Sequence, residues 1–205
     1  QNEQAINVSN VTWRRQANTA DTAAQNAVNQ QNAQNAFSLS SAAQSFLWQE
    51  LRDFVSSGDF TLGKPLIRFE NSFAELIGSE YAIGVNSGTD AIKLPLKALG
   101  IGHGDEVITA ANTFVATVGA ICELGATPVF VDCDDTFCMN TDLIEEKITG
   151  KTKALLPVHF TGYMTDMRKL TKISEKCGIP VIEDACQSFL GNIDGKNAGT
   201  WSQAV

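Results

Sequence analysis

The chain has 205 residues, 43 % of them hydrophobic, and a formal charge of −8. That length buries a sizeable core in one or two domains, while the acidic balance and the lack of a Lys/Arg cluster argue against a nucleic-acid surface. Five cysteines without a Cys-x-x-Cys pair argue against a zinc site or a disulfide framework and fit a reducing, cytoplasmic compartment.

The first element in chain order is compositional. Residues 1–45 contain no Gly and no Pro, little charge and much Asn, Gln and Ala, whereas the first glycine is Gly58. Residues 1–52 are therefore set apart as an additional N-terminal segment, helical or disordered, from an α/β domain over 53–205. Alanines favour a helix over Ala17–Ala43, but Asn and Thr lower the propensity and the apolar residues are small, so that helix needs a partner. Phe46, Leu47, Leu51 and Phe54 recur at helical spacing as one apolar stripe. A flexible or oligomer-stabilised tail and an interaction arm both fit this segment.

Beyond it, helices are predicted over Leu66–Ile77, Thr89–Leu99, Thr113–Leu124, Asp142–Ile148 and Met164–Cys177. Strands are predicted in Tyr81–Thr89, Glu106–Phe114, Pro128–Asp132, Ala154–Gly162 and from Val181 to Asp184. The alternation implies right-handed crossovers and a largely parallel sheet between helices. Pro95 falls inside the second helix, where it removes a donor and predicts a kink. No apolar run is long enough to span a membrane, because Glu123 and the Gly125–Pro128 turn break the longest one. A cleavable signal peptide is not expected.

The strand ends carry the chemistry. Ligands of open α/β sheets gather just beyond the carboxyl ends of the strands. Asn86-Ser87-Gly88-Thr89-Asp90 joins a strand to a helix and offers free amides, a glycine and two hydroxyls, which suits a phosphate; the same residue types are ordinary helix caps. The stretch is neither a Walker loop nor a G-x-G-x-x-G turn. Asp184 ends an apolar strand, where an acid is costly unless it meets a cation or donors. A protonated pyridine nitrogen is one such partner and capping of the next turn is the alternative. Gln187 is spaced to donate to a phenolic oxygen on the same ring, and Phe114 either lies against that ring or packs in the core. Asp132, Asp134, Asp135 and Asn140 imitate a calcium loop, but Phe137 stands where the glycine is required. Ser87 has no general base placed to activate it as a nucleophile.

Together these residues resemble the DegT/DnrJ/EryC1/StrS family of pyridoxal-phosphate-dependent nucleotide-sugar aminotransferases. The resemblance runs from about Ser56 to Val205. It is carried by Gly63-Lys64-Pro65 with Phe69-Glu70, Val85 to Ala91, Gly104 to Ile108, Asn112 to Thr117, Pro128 to Asp132, Pro157-Val158-His159 with Gly162, and Glu183 to Gln187. It implies the N-terminal part of a fold type I large domain, incomplete at its C-terminal side, with pyridoxal 5′-phosphate as cofactor. Cofactor-binding roles are implied for Ser87, Gly88 and Thr89 (phosphate), Phe114 (ring face), Asp184 (ring nitrogen) and Gln187 (phenolic oxygen). His159 is placed near the cofactor or as a packed histidine, and His103 as exposed. No metal is implied.

The resemblance places the Schiff-base lysine beyond Val205, so no lysine here, Lys196 included, is expected to serve and this chain alone is expected to be inactive. The implied activity of the full-length protein is transfer of an amino group from an amino acid, glutamate, to a keto group of a nucleotide-linked sugar, in a homodimer. A sugar 3-dehydratase, with histidine for the lysine, is the alternative within the family. A non-enzymatic fusion or structural protein is the alternative outside it.

Overall fold

The structure is a computed structural model that describes residues 43–204. All but the last residue of the predicted Ala17–Ala43 helix lies outside the described residues. Two compact units divide at Gly63/Lys64. In the first, residues 43–57 form helix α1, whose Phe46, Leu47 and Leu51 are exposed. Phe54 packs edge-on against Phe60 at 5.3 Å.

The second unit holds helices α2 (Lys64–Ile77), α3 (Gly88–Ala98), α4 (Val115–Glu123) and α5 (Met167–Cys177). Strands β1 (Glu106–Ala110), β2 (Thr127–Val131) and β3 (Thr152–Leu156) form a parallel sheet in the order β2-β1-β3. Beyond β3 the sheet continues as single parallel bridges, Leu155 to Val181, Val158 to Asp184 and Ile182 to Ala204. A two-stranded hairpin, β4 (Asn192–Ile193) and β5 (Lys196–Asn197), turns at Asp194-Gly195, both with positive φ, as a tight two-residue hairpin requires.

Strands β1 and β3 are largely buried on both faces, β2 only in part, and the pleat sorts alternate residues to opposite cores. Ile108, Leu155 and Val181 join Met167, Leu170 and Ile173 of α5 in one cluster. Val107, Ala154, Leu156 and Ile182 join Ile92 and Leu96 of α3 and Ala120 and Ile121 of α4 in the other. This is a three-layer α/β arrangement, with α3 and α4 on one face and α5 on the other. Helix α5 is defined at both ends by its sequence: Asp166 accepts from the Lys169 amide, and Gly178 closes the helix at φ 68°.

Three expectations are corrected. Tyr81–Thr89 is not a strand: residues 81–85 have no strand partner among the described residues, and Tyr81 and Ile83 are 74 % and 80 % exposed. The apolar alternation makes the segment competent to pair, but pairing needs a neighbouring edge. Asp142–Ile148 is two short 3-10 turns, Thr141–Leu143 and Glu145–Lys147, because Asn140 caps the first and Ile148 returns to extended backbone. Helix α3 runs continuously through Pro95, which lies in its second half and leaves the Ala91 carbonyl without its helical donor. Pro95→Ala is accordingly expected to stabilise the unit by about 1–3 kcal/mol. Thermal and urea unfolding check this, and an unchanged or lowered midpoint contradicts it.

Candidate active site

The pleat that sorts Val181 and Ile182 to opposite cores also separates the next two residues. Asp184 follows Ile182 onto the α3/α4 face, whereas Glu183 follows Val181 onto the other. Both side chains are buried, with Glu183 at 1 % and Asp184 at 7 % exposure. Two adjacent buried acids on opposite faces each need their own donors.

Asp184 finds them on α4. The buried Thr117 hydroxyl lies 2.8 Å from Asp184 Oδ2, and the Thr113 hydroxyl lies 2.8 Å from Thr117 Oγ1. The Cys186 amide reaches Asp184 Oδ1 at a long 3.4 Å. No Lys, Arg or His pairs with Asp184 among the described residues. Burial, followed by the Asp184 charge, pushes the Cys186 thiol up to about 11, which keeps it protonated and unreactive at neutral pH.

The start of α3 lies beside this turn. Ser87 caps α3: its hydroxyl accepts from the Asp90 amide at 3.2 Å and donates to the Asp90 carboxylate at 3.1 Å. The amides of Gly88 and Thr89, in the first helical turn, have no intrahelical acceptor. A β-carbon at Gly88 would lie 3.8 Å from Cys186 Sγ, so this turn sits beside Asp184–Gln187. Asp90, an acid at the same helix start, is neutralised by Lys93 at 2.9 Å; hydrogen bonds from Lys93 and Ser87 hold its carboxyl below the usual value. Gln187 Oε1 accepts from the Thr161 amide at 2.9 Å, which leaves the Gln187 amide nitrogen facing away from that bond as a donor. Phe114 immediately precedes α4 and is 66 % exposed, so it is not a core residue of this unit.

The His159 amide donates to the Asp184 carbonyl at 2.9 Å, but its ring turns elsewhere. It is fully buried and pairs with Glu183, Nε2 to Oε2 at 3.0 Å, rather than with Asp184. Its Nδ1 accepts from the Thr165 amide at 3.3 Å, so the ring proton sits on Nε2 and points at the carboxylate. Glu183 also accepts from the Gly199 amide at 2.9 Å, the Trp201 amide at 3.0 Å and the Ser202 hydroxyl at 2.7 Å. Burial alone raises the Glu183 carboxyl, but the bonds from His159, Gly199 and Ser202 outweigh it and hold the group below its ordinary value.

Sequence reasoning missed Thr113, Thr117 and Glu183. The available signal was the alternation itself, since consecutive acids ending a strand buried on both faces must each be satisfied on its own face. The acids after β2 are engaged locally: Asp132 accepts from the Cys133 amide and Asp134 from the Thr136 amide, and no metal-ligating cluster occurs among the described residues.

The fold is that of the fold type I aminotransferases. NtdA from Bacillus subtilis, solved with bound cofactor PMP, matches it with a TM-score of 0.71 at 41 % identity, over 76 % of this chain and 35 % of that one. A model of the DegT/DnrJ/EryC1/StrS aminotransferase family matches residues 42–205, and the chain belongs to that family. It is 43 % identical over 151 residues to the dTDP-3-amino-3,4,6-trideoxy-alpha-D-glucose transaminase of Micromonospora megalomicea subsp. nigra, covering 73 % of this chain and 40 % of the relative. It is also 43 % identical over 142 residues to the UDP-2-acetamido-2-deoxy-3-oxo-D-glucuronate aminotransferase of Pseudomonas aeruginosa, covering 69 % of this chain and 40 % of that enzyme. The chain thus spans about two-fifths of the length of these curated relatives.

Proposed function

We propose that this chain is the cofactor-holding part of a pyridoxal-phosphate-dependent enzyme that moves an amino group from an amino acid, glutamate, to a keto group of a nucleotide-linked sugar. The observation that carries the reading is Asp184, an acid 7 % exposed that has a hydroxyl donor and a long amide contact but no cationic partner among the described residues. A protonated pyridine nitrogen supplies the missing cation, so the residues present fit the group. When bound, that ring serves as the electron sink for amino transfer.

The chain's own residues do the holding. In this reading Asp184 keeps a proton on the ring nitrogen, and Phe114 covers one ring face. The Gln187 amide nitrogen donates to the phenolic oxygen. The free amides of Gly88 and Thr89, at the positive end of α3, receive the phosphate, while the Ser87 hydroxyl acts through the cap that sets that end. His159, with both ring nitrogens engaged, takes part through Glu183 rather than by contact. No lysine of the chain is assigned the covalent role, and Lys196 lies over the Trp201 ring at 4.5 Å. The proposal includes a homodimeric, cytoplasmic enzyme, with the exposed Val115 and Phe189 as surface available to further protein.

Pyridoxamine 5′-phosphate is the suitable probe, because it binds without a lysine. Calorimetric titration is expected to show that the chain binds it at least tenfold more tightly than pyridoxamine, which lacks the phosphate. Equal affinity for the two, or no binding, contradicts the reading.

A further inference from the structure

Asp184 can only accept hydrogen bonds as a carboxylate, and a threonine hydroxyl has one proton to give. Thr117 must therefore spend its proton on Asp184 Oδ2 at 2.8 Å, which leaves Thr117 Oγ1 only acceptor capacity toward Thr113 at 2.8 Å. The chain of donors has one direction, from Thr113 through Thr117 to Asp184. Thr117 is fully buried, so water does not replace its hydroxyl. Oδ1 is left with the single long contact from Cys186. Thr117 also stands in the first turn of α4, its amide bonded to the Phe114 carbonyl at 3.1 Å. One helical start thus sets the backbone of the exposed aromatic and the orientation of the buried acid.

We infer that Thr117 is a positioning residue for Asp184: its hydroxyl, set by Thr113, locks one carboxylate oxygen and leaves the other to hold the proton of a cofactor's ring nitrogen. The inference rests on the cofactor reading above. A hydroxyl donor to a buried charged acceptor ranks among the stronger single hydrogen bonds. Removing it frees the carboxylate to rotate and leaves the Thr113 proton without its acceptor.

The test uses the 205-residue chain and pyridoxamine 5′-phosphate labelled with 15N at the ring nitrogen. Thr117→Val keeps the shape and removes the hydroxyl, whereas Thr117→Ser keeps the hydroxyl. Thr117→Val is expected to bind the probe about tenfold more weakly, with its ring 15N shift moved toward that of unprotonated pyridine. Thr117→Ser is expected to restore both values to within about twofold. Thr113→Val, at a half-buried position, serves as a second variant should Thr117→Val fail to fold, and moves both readouts in the same direction by a smaller amount. Wild-type affinity and wild-type 15N shift in Thr117→Val, or in Thr113→Val where that variant decides, overturn the inference while leaving the cofactor reading intact. A wild-type chain that does not bind the probe overturns both.

Discussion

Replacing Asp184 with asparagine is expected to weaken binding of pyridoxamine 5′-phosphate by about a hundredfold or more, on the order of 3 kcal/mol. The size follows from what the substitution leaves behind. A neutral amide at 7 % exposure no longer matches a protonated ring, and its amino group turns a donor toward a nitrogen that itself carries a proton. The Thr117 hydroxyl still finds an oxygen, so the protein itself loses less than the complex does. Calorimetry of probe binding, with thermal unfolding of the unliganded chain as the control, separates the two. Loss of binding with little loss of stability is the expected pattern. Unchanged affinity would remove Asp184 from the cofactor site.

The opposite pattern is expected one residue earlier. Glu183→Ala strips three donors of their acceptor, namely His159 Nε2 and the Gly199 and Trp201 amides, while the Ser202 hydroxyl keeps the Ala204 carbonyl at 2.7 Å. Each buried donor left without an acceptor costs about 1–3 kcal/mol before relaxation. Against a typical domain stability of about 5–15 kcal/mol, such a loss leaves the fold marginal. By contrast Glu145→Gln, at a surface carboxylate paired with Lys176 at 2.6 Å, is expected to leave the unfolding midpoint nearly unchanged, because the pair is solvent-screened.

Glu183 also links folding to acid. Its carboxyl lies below the ordinary value of 4.5 in the folded chain, so below that value the unfolded state binds more protons than the folded one. The stabilisation is complete above pH 4.5 and is lost as pH falls through the lowered folded value. Glu183→Gln has no such proton to bind, and its stability is expected to fall less steeply than wild type below pH 4.5. Urea unfolding at a series of acidic pH values measures both slopes, and equal slopes contradict the assignment.

The parts legible in the sequence are those whose signal is local. Mostly apolar stretches at Glu106–Ala110 and Thr152–Leu156 are strands covered on both faces, Thr127–Val131 is the partly exposed strand beside them, and Asp166 with Gly178 marks the ends of α5. The turn after Ile182 is legible for the same reason, since an acid there interrupts a run that is otherwise buried. What depends on a distant neighbour is not legible. Tyr81–Thr89 has the composition of a strand, yet the described residues offer it no edge to pair with. Thr117 is separated from Asp184 by 67 positions and reads as an ordinary helical threonine until the fold brings its hydroxyl to the acid. The donors of Glu183 come from 16 to 24 residues away, from two different loops, and no spacing rule joins them. For His159 the resemblance left a place near the cofactor and a packed ring both open, and the bonds of its ring to Glu183 and Thr165 depend on neighbours distant in the sequence.

The most direct test is a crystal structure of the chain with pyridoxamine 5′-phosphate. The account predicts the ring nitrogen at about 3 Å from the Asp184 carboxylate, the phosphate on the Gly88 and Thr89 amides, and Phe114 against the ring. Cofactor density elsewhere on the chain, or bound with its nitrogen turned away from Asp184, would contradict it.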